Sequence, residues 1–267
     1  MSGSNPVKFM QSESNLNYFS LHPVAALSSA SKLLITTVGD FGHNNLQVLY
    51  LDGPLSNLHT RLLSVTIQSS HVPPDGIQPT EVVSSSSPRQ QTGVLEIGTG
   101  DSRVQSAVWY RGILWLAFSD GCYVNNDTNS RSCIRFIQFN TDTNNIVQDF
   151  DVAALGSSLY YPAVSVDKSG NLGIIFGYSS YSQNPSLLFS KHLIGHSLDS
   201  IQEPQILKLG TANELSDRYG DYFAASSDPT NESEIWIAGE YHVLPTWSTY
   251  IGELHITNTT FERPMNP

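Results

Sequence analysis

Charge is scarce in this chain. Only 14% of its 267 residues are Asp, Glu, Lys or Arg, against about 25% in an ordinary globular domain. What charge there is leans one way: 24 acidic residues face 13 basic ones, for a net charge of −11. That balance argues against a general electrostatic grip on nucleic acid or on an anionic membrane. No run of about 18 apolar residues occurs, so no membrane-inserted helix is expected. Stretches with the period of an amphipathic helix are almost absent. So are the spaced His and Cys sets of a zinc site, the Gly-x-Ser-x-Gly elbow of a serine hydrolase, the phosphate loop and the dinucleotide fingerprint. No cofactor is required by any motif.

The chain instead holds short runs of β-branched and aromatic residues, broken by Gly, Pro, Asn and Asp. Lys32–Val38, Ile113–Phe118 and Ile134–Phe139 are examples. With 39% apolar residues the chain has ample material for a core. The reading is all-β.

Stacking these runs exposes a repeat. A small-residue strand leads through a turn to an apolar strand, four times: Pro23–Ala26 to Leu34–Asp40, Ser106–Trp109 to Leu114–Asp120, Pro162–Ser165 to Leu172–Tyr178, and Phe223–Ser226 to Glu234–Glu240. Third strands follow at Leu46–Leu51, Ile134–Phe139, Leu187–Lys191 and Thr249–Ile256, and fourth strands at Val94–Ile97, Val147–Val152 and Gln205–Leu209. Small residues in the first strand suit the crowded axis of a β-propeller. The last unit lacks a fourth strand, and Val7–Met10 is an orphan strand at the other end. The pattern predicts one propeller domain over residues 1–267, its N- and C-terminal strands closing one blade. Four blades of about 60 residues are counted, at the low end for propellers. A Ser/Pro-rich loop insertion covers about 69–92, and a fifth, degenerate blade between His59 and Thr92 is the alternative count. A β-sandwich is the alternative fold.

Cys122 and Cys133 are the only cysteines. They fall at the end of one strand and the start of the next, where a hairpin disulfide fits, and a disulfide implies an oxidising compartment. A secreted, extracellular protein is therefore expected, although Met1–Pro6 lacks the basic start and apolar run of a signal peptide. Sequons at Asn126, Asn231 and Asn258 are no more than chance in so Asn/Ser/Thr-rich a chain.

Asp217-Arg218-Tyr219-Gly220-Asp221-Tyr222, with Asp228-Pro229, Ile235-Trp236, Glu240-Tyr241 and Thr246–Thr249, resembles secreted microbial proteins related to sialidase-type (Asp-box) propellers. Ser157–Ala163 and Gly177–Ser180 look like the same group, so the resemblance spans roughly 100–256. It implies a propeller that binds or hydrolyses glycans. Ser165–Gly170 is a loose Asp-box with one residue too many, which reads as a hairpin turn. Sialidases carry three arginines for the sialate carboxylate and a Tyr–Glu nucleophile pair; three such arginines are not placed in this sequence.

Propeller topology brings the connections between blades, and those from second to third strands, to one face, the usual ligand side. Asp40, Asp120, Tyr178 and Glu240 occupy one repeat position. The acids Asp40, Asp120 and Glu240 have three readings. They form a glycosidase pair with one raised pKa, a Ca²⁺ site, or strand-end carboxylates bonded to backbone N–H groups. Arg103, Arg218 and Asp221 are candidate ligand-binding groups, and each Arg also has an acid beside it, Asp101 or Asp217. Tyr161, Tyr178, Tyr222, Tyr241 and Trp247 are candidates for stacking on sugar rings, with packing between blades as the alternative. Trp109, Trp115 and Trp236 read as core. The expected partner is a glycan or other small polar ligand, bound by a monomer. If the protein is an enzyme it is a glycoside hydrolase; otherwise it is an adhesion, surface or protein-binding module.

Overall fold

A computed structural model describes residues 20–28, 32–38, 44–54, 57, 59–80, 96–215, 219–243 and 246–256. The described residues form strands, turns and connections, with no helix among them. Sixteen strands are arranged in four sheets. In sheet one, β1 (His22–Pro23) pairs with β3 (Lys32–Val38), followed by β4 (Asn45–Asp52) and β5 (His59–Thr66). Sheet two runs β2 (Ala25–Ala26), β6 (Ser106–Tyr110), β7 (Ile113–Tyr123), β8 (Ser130–Asn140) and β9 (Asn145–Val152). Sheet three is β10 (Ser157–Val166), β11 (Leu172–Ser180), β12 (Gln183–His192) and β13 (Gln205–Lys208). Sheet four has β14 (Ala224–Ser227), β15 (Glu234–Val243) and β16 (Thr246–His255).

The repeat thus corresponds to the sheets, with two corrections in the first unit. Pro23–Ala26 is not one strand. His22 and Pro23 pair with Thr36 and Ile35 inside sheet one, whereas Ala25 and Ala26 run parallel to Val108 and Trp109 of sheet two. Val24, between them, is buried in the core shared by the two sheets. The fourth strand of sheet one is His59–Thr66; of the expected Val94–Ile97, residues 94 and 95 lie outside the described residues. Ile97 makes only a single bridge to Gly76. An Arg, a His and two Thr disguise this exposed edge strand in the sequence. Between His59 and Thr92, the described residues hold this strand and then an extended connection through residue 80, with no further sheet. Val7–Met10 lies outside the described residues.

The sheets pack in chain order. Leu46, Val48 and Tyr50 of sheet one meet Leu114, Leu116 and Phe118 of β7. The alternate residues Trp115 and Ala117 face Val164, Val166, Ile174 and Phe176 of sheet three. Ile175 and Leu187 then pack on Ile235, Ile237 and Leu254 of sheet four. Sheets two and three are covered on both faces, which is why β7 opens on the apolar run Ile113–Phe118 and every residue of β10 is buried. Each large side chain buried in this way contributes about 1.5–3 kcal/mol. On β15 only the face with Ile235 and Ile237 is buried. Trp236 points the other way and is 38% exposed, so it is not core. Trp115 is core, and Trp109 is half-buried with its indole donating to Thr141 Oγ1.

Candidate functional site

A pocket of about 270 Å³ opens near the starts of β1, β6 and β14 and against Tyr161 of β10. Its wall comes from all four units. Ser20 precedes β1, the Gly100–Gln105 segment leads into β6, Tyr161 belongs to β10, and Asp221 and Tyr222 precede β14. A bulge shapes the β10 wall. The register between β10 and β11 breaks between Tyr160 and Ala163, and Tyr161 takes φ 51°. A bulge re-aims side chains: Tyr160 lies over Gly177, where a Cβ would overlap its ring, while Tyr161 reaches the pocket and donates its hydroxyl to the Gly98 carbonyl. Gly100, at φ 78°, lies against the Tyr161 ring. Arg103 Nε is 2.7 Å from the Asp101 carboxylate, and the Arg103 backbone N–H donates to the same group. Tyr222 is 67% exposed at the pocket. The site therefore offers an ion-paired guanidinium, two carboxylates and an accessible aromatic ring, a set suited to hydroxyl-rich ligands.

Of the residues singled out in the sequence, Arg103, Tyr161, Asp221 and Tyr222 line this pocket, together with Asp101. Asp40 and Arg218 lie outside the described residues. Asp120, Glu240, Tyr178, Tyr241 and Trp247 do not line it. Tyr178 packs against the core between sheets two and three. Tyr241 packs against sheet three's side of the core, with Lys208 Nζ 5.4 Å from its ring centroid. Trp247 is 61% exposed on β16, opposite His242.

Of the three readings of the acids, Asp120 fits the third, a strand-end carboxylate bonded to backbone N–H groups. Asp120 is wholly buried. Its Oδ1 accepts the backbone N–H groups of His71 and Gly121, and Arg135 Nη2 lies 3.0 Å from its Oδ2. That last contact is an ion pair rather than an aligned hydrogen bond, because Nη2 donates to Asp151 and to the Ser69 carbonyl. Arg135 also meets Asp149 through Nη1. Burial pushes the Asp120 carboxyl up, partly offset by the His71 N–H and the Arg135 charge. Glu240 has other neighbours. Burial raises its carboxyl, the Gly220 N–H lowers it, and Glu214 and Asp221 raise it further. The Glu240 backbone carbonyl accepts the Tyr219 hydroxyl.

Arg135 also fastens the segment after β5. Its guanidinium donates to the Gln68 and Ser69 carbonyls, and Gln68 bonds Asp149 twice. The segment continues past Ser158, whose hydroxyl accepts the Ile77 N–H, to Glu214, which exchanges two hydrogen bonds with Gln78. The described part of the expected insertion is therefore a strap tied to sheets two and three and to the approach to sheet four. Cys122 and Cys133 form a disulfide between β7 and β8, with Cα atoms 5.9 Å apart. Asp167 caps the β10–β11 hairpin by accepting the Ser169 and Asn171 N–H groups, as a turn residue does.

Gln105, Ser20 and the buried Arg135 are absent from the sequence reading. For Arg135 a signal existed: a lone cation inside the apolar run Ile134–Phe139, with Asp149 and Asp151 two residues apart on the next strand. Gln105 and Ser20 carry no such signal. No protein-family model and no curated protein matches this chain.

Proposed function

We propose that the four sheets are blades of one extracellular β-propeller, and that the pocket at its axis binds a glycan or similar small polar ligand without hydrolysing it. One observation carries this reading: the segments leading into, or lying within, β1, β6, β10 and β14, one strand of each sheet, meet at a single pocket. Loops that converge on one axis are where propellers place ligands. Tyr222 offers a ring face for stacking, and Arg103, Asp101 and Asp221 offer charged hydrogen-bonding groups. Binding without turnover is favoured by the state of two acids: Asp101 in the pocket is ion-paired with Arg103, and Asp120, expected to be catalytic, does not line it. A glycosidase needs two carboxyl groups facing one bond across about 5–10 Å, and Asp120 is instead buried beneath the strap and engaged by Arg135. The same engagement disfavours Asp120 as a Ca²⁺ ligand.

A glycan array run beside a panel of chromogenic glycosides tests the proposal. The expected result is selective glycan binding, no glycoside turnover, and loss of binding in Arg103→Ala and Tyr222→Ala. Turnover of any glycoside, or binding that survives both substitutions, overturns it.

A further inference from the structure

A second pocket, of about 210 Å³, lies at the opposite end of the sheets, between the β6–β7 turn and the β10–β11 turn. The geometry points to this pocket as a binding site for a small monocarboxylate with an apolar, ring-sized body. Its walls are the rings of Tyr110 and Trp115 and the aliphatic side chains of Ile113, Val166 and Ile194. A cavity of about 150 Å³ already admits benzene, so one ring with a carboxylate fits. Among the described residues no acidic side chain lines it, which sets it apart in a chain of net charge −11.

Two groups lining this pocket have donors to spare. The orientation of Gln138 follows from its neighbours. The Asp199 backbone N–H donates to Gln148 Oε1, which makes Gln148 Nε2 the donor to Gln138 Oε1 at 2.6 Å. The amide N–H₂ of Gln138 is thereby left without a partner among the described residues. Arg111 is the second. Its guanidinium stands 4.8 Å over the Tyr110 ring and makes no hydrogen bond to a described residue. Tyr110 is held as a wall by its hydroxyl, which donates to the Lys168 carbonyl. Arg111 sits at φ 46° and Gly112 at φ 83°, a turn geometry that favours Gly, Asn or Asp. An Arg there is a local cost that places a cation beside the pocket. Gly170, at φ 86°, keeps the other side open, because a Cβ there would press on Ile194. Apolar walls with two unpaired donors and no acid select an apolar anion.

The test titrates the full chain with benzoate, benzyl alcohol and acetate, reading binding by ligand-detected NMR. Benzoate should bind saturably, benzyl alcohol more weakly, and acetate more weakly still. Arg111→Gln, at an exposed position, should weaken benzoate about tenfold, the effect of one lost charge-assisted hydrogen bond, and leave benzyl alcohol unchanged. Arg103→Ala and Tyr222→Ala, at the other end, should change nothing. The inference is overturned if benzoate does not saturate, if Arg111→Gln binds it as tightly as the parent, or if either distant substitution abolishes it. Failure of glycan binding would leave these outcomes intact, so the two readings fail separately.

Discussion

Arg135 and Asp120 meet 3.0 Å apart inside sheet two, with side chains 3% and 0% exposed. Asp149 and Asp151 complete three carboxylates around the one guanidinium. Two backbone carbonyls of the strap take further N–H groups of the same cation. The strap's position over the sheet ends therefore depends on one buried cation.

Arg135→Met is expected to destabilise the fold by about 3–5 kcal/mol, the usual cost of stripping the partner from buried charge. Arg135→Lys should recover little, since an ammonium cannot reproduce the fork that reaches three acids and two carbonyls. Asp120→Asn should cost less, because its side-chain oxygen still accepts from His71 and Gly121. Urea denaturation ranks the three; a loss under about 1 kcal/mol for Arg135→Met would show that the cluster is not what holds the strap.

Stability should depend on pH in two opposite ways. Burial holds the Asp120 and Asp149 carboxyls above their ordinary range. A raised folded pKa favours the protonated folded protein, so that contribution is complete below the unfolded value of about 4 and is lost as pH rises through the folded values. Asp228 runs the other way. The Thr230 hydroxyl, the Trp236 indole and two backbone N–H groups hold its carboxyl well below the ordinary range. Its contribution is present above about pH 4 and is lost as pH falls toward the folded value. Melting curves from acid to neutral pH should show Asp228→Asn with a flatter acid limb than the parent. Asp120→Asn should lose part of the decline on the neutral side. Unchanged limbs in both variants would refute the assignment.

How far the sequence could be read follows from where its signals were local. Ile113–Phe118 and Leu172–Tyr178 announce strands because both of their faces are buried. Asp101, Arg103, Asp221 and Tyr222 come together because they sit just before first strands, and topology alone collects such positions at one end. Asp120 shares a repeat position with Glu240, yet the strap covers it and Arg135 takes its charge. That outcome depends on a connection spanning dozens of residues, which no local pattern encodes. His59–Thr66 was hidden for a different reason. An edge strand buries one face partly and carries polar residues freely, so its alternation is weak.

Reducing the Cys122–Cys133 bond is expected to lower stability by roughly 3 kcal/mol on the chain-entropy model, given the short loop it closes. The sulfurs lie beside the Asp151 carboxylate, which itself holds Arg135. Intact mass should show two fewer hydrogens than the reduced chain, and thermal melts with and without reductant should differ. Two free thiols after aerobic purification would refute the bond.

The last prediction tests the proposed closure of the ring. Among the described residues sheet four ends at β16, while the other three sheets each continue to a fourth antiparallel strand beyond the third. β16 is ten residues long and carries Trp247 and Ile251 at 61% and 56% exposure. A long, apolar edge of that kind invites pairing and would aggregate if left open. The sequence pattern predicts that Val7–Met10, which lies outside the described residues, pairs in this blade. Deleting residues 1–12 should therefore remove the pairing of several backbone groups and lower the melting temperature by several degrees, at about 2–4 °C per kcal/mol in a domain of this size. The truncated chain should also self-associate, because β16 becomes an open template. A truncated chain that melts with the parent and stays monodisperse would show that the N-terminal segment does not close sheet four.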